Sequence, residues 1–195
     1  ARIDKLQPST QRVLSLAACI GHRFDLLTLS TISEETPYAT AAALWDALET
    51  GIVVPLSTEY RYIHSAASDP KAASQIVYRF THDRVQQAAY AKVDSADRAA
   101  LHLRIGRLLW ARGDSQDGTE LFELCSHLNF GRDLLTDQAE RMSLAELDLQ
   151  AGKRAKAATA YEAAFQMLSA GVSLLAPQSF ATHHGFSFAL YKELA

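Results

Sequence analysis

Residues 76–90 read IVYRFTHDRVQQAAY, and the hydrophobic period of this stretch changes near its middle. Ile76, Tyr78 and Phe80 alternate with other side chains, which predicts a strand. Beyond residue 82 the apolar positions recur at helical spacing, at Val85, Ala88, Ala89 and Val93. The stretch therefore predicts a strand that runs into a helix, with the titratable pair His82 and Asp83 at the junction.

The residues before this junction predict three helices. The first spans about 9–20, the second follows Asp25 as its N-cap, and the third begins at Thr36-Pro37 and ends at Gly51. Two short strand candidates come next, IVVPLS at 52–57 and YRYIHSA at 60–66, then a looser segment at 65–75 and the strand IVYRFT at 76–81. Three helices followed by a small β-sheet is the order of a winged helix, and we predict such a module over residues 1–92.

Everything after residue 82 has helical periodicity, and residues 93–195 predict antiparallel helical hairpins. The portion DLQAGKRAKAATAYEAAFQML resembles a tetratricopeptide unit. Gly152 matches the tight position of its first helix, and Ala164 matches the small residue where its two helices cross. Ala155 stands where that repeat has an aromatic residue. The predicted fold class is therefore mostly α, with a winged-helix-like module followed by tetratricopeptide-like hairpins.

The composition is that of a globular protein, with 48% hydrophobic and 21% charged residues among 195. A net charge of −3 gives no global indication of nucleic acid or an anionic membrane as partner. Cys19 and Cys125 are typical of core residues in a reduced, cytoplasmic protein. No apolar run approaches ~18 residues, so no membrane span is predicted. The chain begins ARIDKLQ without Met and stops in helical-looking sequence, and we expect it to be a piece of a longer protein.

One interpretation of the junction is a phosphoacceptor histidine. His82, Asp83, Val85 and Gln87 resemble the H-D-x-V-x-Q box of a class of sensor histidine kinases. That box lies within a long helix, whereas the β-branched and aromatic residues before His82 favour a strand. The strand context therefore argues against a phosphoacceptor.

A second interpretation is a metal or hydrolytic site. Such a site needs further His and Asp ligands, and His64, His102 and His127 show no paired ligand spacing. The pair His183-His184 has no carboxylate or cysteine near it in sequence. The sequence therefore predicts no metal site.

A third interpretation follows from a resemblance to STAND-type signalling ATPases. In that family a winged helix follows the nucleotide domain and carries a Met-His-Asp-like motif at this junction. The resemblance implies that His82 contacts the β-phosphate of ADP and that Asp83 supports the helix start or orients the ring. Arg79 and Arg84 flank His82, and they either approach the phosphates or pair with Asp83 and nearby Glu residues. Phe80 and Thr81 replace the residue that usually precedes the histidine.

A longer resemblance covers nearly the whole chain. The segments at 6–33, 78–90 and 98–109 resemble the region after the ATPase module in large bacterial proteins. Those proteins fuse a Ser/Thr kinase-like domain, an ATPase, helical repeats, a GAF domain and a sensor histidine kinase. The resemblance implies a regulatory relay between an upstream ATPase and downstream signalling domains of the same chain. ATP or ADP would be bound by the upstream domain, with no cofactor in this segment.

The sequence contains no phosphate-binding loop of its own. The single Gly-Lys, at Gly152-Lys153, is followed by Arg154 and lacks the earlier glycine of that motif. No Ser, Cys or paired-acid constellation suggests another reaction. We therefore expect this segment not to be an enzyme.

DNA binding is the remaining alternative, because many winged helices are transcriptional regulators. The third helix would enter the major groove, yet it contains Asp46 and Glu49 and no basic residue. Leu44 and Trp45 look like packing residues. Basic residues concentrate instead at 79–112, on later helices. The sequence thus disfavours DNA, while the helical repeats are typical of surfaces that bind protein partners.

Overall fold

The computed structural model describes residues 2–56, 58, 70–113 and 118–195. The chain divides into two compact units, residues 1–101 and 102–195. The predicted strand at 60–66 lies outside the described residues. The predicted boundary after residue 92 remains a prediction.

The first unit combines helices with short strands. After a 3-10 turn at Arg2–Lys5, its elements are α1 (Pro8–Ile20), β1 (Arg23–Asp25), α2 (Leu26–Ser33), α3 (Pro37–Glu49), β2 (Val53–Pro55), α4 (Pro70–Gln75), β3 (Val77–Phe80) and α5 (Asp83–Tyr90). Helix α6 (Ser95–Arg112) contains the boundary between the two units. The three predicted helices and the strand before His82 are confirmed.

The three strands form one antiparallel sheet in the order β1-β3-β2. Arg23 pairs with Arg79 on one side of the central strand, and Val54 pairs with Arg79 on the other. The predicted mostly α fold with a small sheet is confirmed. The chain order is α1-β1-α2-α3-β2-α4-β3, and the winged-helix assignment of this unit remains a prediction. Two elements differ from the sequence prediction, because β1 was not foreseen and α4 replaces part of the loop predicted at 65–75.

Side-chain caps set the starts of two helices as predicted. The backbone N–H of Thr28 donates to Asp25 Oδ1 at 2.8 Å, and that of Ala39 donates to Thr36 Oγ1 at 3.2 Å. Each bond satisfies a backbone donor that the first helical turn leaves without an intrahelical partner.

The core of the first unit lies between the sheet and its helices. Tyr78 and Phe80 are fully buried on one side of β3. Phe24 of β1 lies beside them, with ring centroids 5.8 Å and 5.5 Å away. Leu14, Leu29 and other apolar residues of α1, α2 and α3 complete the cluster. This packing fixes the strand that leads into His82.

The regular elements among the described residues of the second unit are all helices or 3-10 turns. Beyond α6 it contains α7 (Gly118–Phe130), a 3-10 turn at Arg132–Leu134, α8 (Gln138–Ala157), α9 (Tyr161–Leu174), α10 (Ser179–Thr182) and α11 (His184–Leu194). Helices α8 and α9 form a hairpin whose turn contains Thr159 in a left-handed conformation (φ 58°).

Gly152 sits where the two helices of this hairpin approach each other. A Cβ atom at residue 152 would lie 2.5 Å from Leu168 Cγ, so only glycine permits the observed spacing. Ala164 is buried, as expected for a small residue at the hairpin interface. These two positions agree with the predicted hairpin packing.

Both cysteines are buried and unpaired. Burial raises the pKa of the Cys19 thiol to about 11 and moves the pKa of Cys125 further upward. Neither thiol is therefore activated as a nucleophile. Within the described part of the chain, no helix is both long and apolar enough to cross a bilayer.

Candidate functional site at the end of the sheet

The strand-to-helix junction is anchored by backbone and side-chain hydrogen bonds. The N–H of Phe80 donates to the His22 carbonyl at 3.0 Å, and the N–H of Thr81 donates to the Ile52 carbonyl at 3.1 Å. Thr81 Oγ1 also donates to the Gly51 carbonyl at 2.9 Å. These bonds hold the end of β3 between its two neighbours, so the position of His82 is well defined.

His82 is the N-cap residue of α5. Its backbone is extended (φ −145°, ψ 136°), and its carbonyl accepts from the N–H groups of Val85 and Gln86 at 3.0 Å and 3.2 Å. Its imidazole makes no capping hydrogen bond and is exposed. Among the described residues the ring has no hydrogen-bond partner, so both of its nitrogens are available to a group outside this chain.

Asp83 is the first residue of α5 rather than its cap. Its Oδ1 lies 3.3 Å from His22 Nδ1, in the turn between α1 and β1. The Asp83 side chain is 83% exposed and that of His22 is 44% exposed, so the pair contributes little to stability. A negative charge in the first turn is favourable for the helix dipole. The partnership with His22 was not visible in the sequence.

The helix that follows is fixed by packing. Ala89 is fully buried, and Val85 and Ala88 pack against the same core. Gln86 Nε2 also donates to the Ala18 carbonyl of α1 at 3.3 Å. These contacts hold α5 in place, and with it the N-terminal N–H groups that favour anions.

Arg79 and Arg84 are both exposed, and no described hydrogen bond or ion pair joins either of them to His82. Arg79 lies on the face of the sheet opposite Tyr78 and Phe80, next to Arg23 of β1. The predicted alternative, in which these arginines pair with Asp83 or neighbouring Glu residues, is not seen among the described residues. Their proximity to phosphate remains a prediction.

The structure supports the argument against a phosphoacceptor helix. β3 ends at Phe80, and α5 begins at Asp83, so His82 has helix on one side alone. A phosphoacceptor box within a dimerisation helix needs helix on both sides.

Two histidines that are far apart in sequence meet in the second unit. His102 Nδ1 and His127 Nδ1 are 2.9 Å apart, and the His102 ring also stacks near Phe130 with centroids 4.3 Å apart. Sequence spacing did not reveal this pair, because the two residues lie on different helices. The described residues contain no group of three or more His, Cys, Asp or Glu arranged to hold a metal ion, and His64 lies outside them.

The exposed face of α3 differs from the prediction at one residue. Leu44 is fully buried, but Trp45 is 55% exposed and is not a core residue. Helical spacing places Tyr38, Trp45 and Glu49 toward solvent. The face that a winged helix presents to the DNA major groove is thus aromatic and acidic, which is unsuited to phosphate contacts.

A buried carboxylate in the second unit was also missed. Asp148 of α8 is fully buried, and its Oδ1 accepts a 2.6 Å hydrogen bond from Asn129 Nδ2. Burial raises the pKa of Asp148 to about 7, although the contacts with Asn129 and Cys125 oppose that rise. Asp148 Oδ2 and Asn129 Oδ1 have no partner among the described atoms. An acidic residue between apolar neighbours on a helix is the signal that could have identified it.

Comparisons with known proteins indicate similarity to a signalling protein. No protein-family profile matches the chain, and no solved structure matches it. The chain is similar to the hybrid signal transduction histidine kinase G of Dictyostelium discoideum, with 29% identity in an alignment 213 positions long that covers 91% of this chain. The aligned region is 6% of the length of that kinase.

Proposed function

We propose that this chain is a regulatory segment of a multidomain signal-transduction protein. Its similarity to part of a hybrid signal transduction histidine kinase supports a signalling context. The partners would be other domains of the same polypeptide, in the cytoplasm. The segment itself would be non-catalytic, with the helical hairpins serving as a scaffold or a protein-binding surface.

The finer proposal is a relay of nucleotide state. An upstream ATPase domain of STAND type would bind ADP or ATP, and His82 would contact its phosphates when that domain packs against the winged helix. The observation that carries this proposal is the His82 imidazole, which is exposed and unpartnered among the described residues at the N-terminus of a rigidly held helix. An imidazole N–H together with free helix N–H groups is a suitable donor set for phosphate oxygens.

Asp83 would contribute by position. Its contact with His22 connects the start of α5 to the turn after α1. A change of the bound nucleotide that moves His82 would therefore displace both the start of α5 and the turn after α1. Downstream domains would respond to the resulting displacement of the helices.

The two competing functions have less support. The aromatic and acidic exposed face of α3 gives DNA phosphates no basic partner. The strand before His82 removes the helical context of a phosphoacceptor. No specific observation in the structure favours either alternative.

The test uses the longer protein that includes the segment upstream of this chain. Nucleotide that copurifies with it is released by denaturation and quantified for the wild type, His82→Ala and the control His184→Ala. His184 is exposed and lies in the second unit, so its loss should leave bound ADP unchanged. If His82→Ala retains as much ADP as the wild type and signals normally, the sensor role of His82 is wrong.

A further inference from the structure

The outer face of the three-stranded sheet carries two arginines side by side. Tyr78 and Phe80 point into the core, so Arg79 between them projects from the opposite face. The register places Arg23 of β1 directly across from Arg79. Both side chains are exposed.

The hydrogen-bond pattern shows how close these arginines are. In the adjacent pair on one side, the Phe80 N–H donates to the His22 carbonyl at 3.0 Å. Three register positions away on the other side, the Leu26 N–H donates to the Ile76 carbonyl at 2.9 Å. Since the two kinds of pair alternate along an antiparallel ladder, positions 23 and 79 form the non-hydrogen-bonded kind, in which side chains approach most closely.

Two positive charges in such a pair repel each other. Neither Arg23 nor Arg79 forms an ion pair with any described carboxylate. The nearest acidic side chain in β1, Asp25, uses both carboxylate oxygens to accept hydrogen bonds from Thr28, at 2.8 Å and 2.7 Å. An external oxyanion between the two guanidinium groups would relieve the repulsion.

Beside this pair the same face carries Asp25 on β1, in register with Val77, and apolar residues on β3 and β2. Val54 lies next to Arg79 across β2, and Leu56 lies next to Val77, with the Leu56 N–H donating to the Val77 carbonyl at 2.8 Å. Leu56 is 42% exposed. Val77 and Leu56 form an apolar row that lies two residues along the strands from the row of Arg23, Arg79 and Val54, a distance of about 6.8 Å.

We propose that this outer face, formed by Arg23, Arg79, Val54, Val77 and Leu56, binds an acidic segment of a protein partner. One partner carboxylate lies between Arg23 and Arg79, and an apolar partner side chain packs on Val77 and Leu56. Charge complementarity selects the carboxylate. The apolar row favours a protein over a free anion or a nucleic acid, because arginine beside apolar side chains is typical of protein interfaces.

The distance between the two rows also favours a helical conformation for the partner segment. Residues four apart on a helix are separated by about 6 Å along its axis, which is close to the distance between the two rows. An amphipathic helix with Glu and Leu at positions i and i+4 would therefore contact both rows at once.

The test is an NMR titration of the 195-residue chain with a blocked, alanine-based helical peptide of about 15 residues that carries Glu and Leu four positions apart. The Nε–H signals of Arg23 and Arg79 should shift saturably. Arg23→Gln and Arg79→Gln should each weaken binding about tenfold, because each removes one charge-assisted hydrogen bond. Arg12→Gln, an exposed arginine on α1, should leave the affinity unchanged.

Three outcomes would overturn the proposal. The first is no shift at millimolar peptide. The second is equal binding by a peptide with Gln in place of Glu, or by the Arg23→Gln variant. The third is tighter binding of inorganic pyrophosphate than of the Glu peptide at matched ionic strength, which would identify a phosphate rather than a carboxylate as the ligand. Both Gln variants should remain folded, since removing one of two repelling charges does not weaken the sheet.

Discussion

Replacing Asp148 by Asn should make the second unit more stable at neutral and alkaline pH. The Asp148 carboxyl is buried, and its pKa is raised from 3.8 to about 7. The folded state therefore binds this proton more tightly than the unfolded state does. The contribution of this group to stability is highest below about pH 4, falls as the pH rises from about 4 to 7, and is constant above that range.

The size of the effect follows from the same pKa values. A difference of about three units corresponds to about 4 kcal/mol as an upper limit, because each unit is worth about 1.4 kcal/mol. The amide introduced by Asp148→Asn would stay neutral at every pH and keep an oxygen to accept from Asn129 Nδ2. Its N–H could also donate to Asn129 Oδ1, which now lacks a partner among the described atoms. We expect Asp148→Asn to be about 2–4 kcal/mol more stable than wild type at pH 8 and nearly equal to it at pH 4.

Urea denaturation at several pH values measures this difference. Trp45 and Trp110 are the two tryptophans of the chain, and Trp110 packs against the core of the second unit. In a Trp45→Phe background, fluorescence reports Trp110 alone. Asp133→Asn, at an exposed carboxylate, is the control. A stability difference between Asp148→Asn and wild type that does not change with pH would refute the reasoning.

Three further predictions concern packing and DNA. Gly152→Ala should lower the unfolding free energy of the second unit by about 1–3 kcal/mol, because the new Cβ overlaps Leu168. The control Gly185→Ala, in open space, should cost less than about 1 kcal/mol, and urea titration compares the two variants. Phe80→Ala should cost about 3–5 kcal/mol by leaving a cavity in the first unit, and the exposed Phe188 gives a control whose truncation has a much smaller effect in calorimetry. In a low-salt gel shift, the chain should not retain duplex DNA, since α3 contains no Lys or Arg; retention that increases as salt is lowered would contradict this.

Long, periodic elements could be predicted from the sequence, while short ones could not. α1 and α3 have start and stop signals and complete apolar stripes, which determine their ends. β1 has three residues, too few for an alternating pattern to be recognised, and it is a strand because β3 pairs with it. The turn between α8 and α9 contains neither Gly nor Pro and places Thr159 at positive φ, so it carried no strong sequence signal.

For the same reason, only part of the candidate site could be predicted from the sequence. The change of period identified His82 and Asp83 at a strand-to-helix junction. The pairing of His22 with Asp83, like that of Arg23 with Arg79, could not be predicted, because each joins positions more than fifty residues apart and depends on the β1–β3 register. Trp45 was assigned to the core because an apolar stripe shows which side of a helix is buried, but not how far around the helix the buried surface extends.

The release rate of a fluorescent ADP analogue tests the central proposal most directly. It should be measured on the protein that includes the upstream segment, for wild type, His82→Ala and His184→Ala. Loss of a hydrogen bond to a charged phosphate should accelerate release by about tenfold or more in His82→Ala and leave His184→Ala at the wild-type rate. Equal release rates for wild type and His82→Ala would contradict the assignment of His82 as the nucleotide contact.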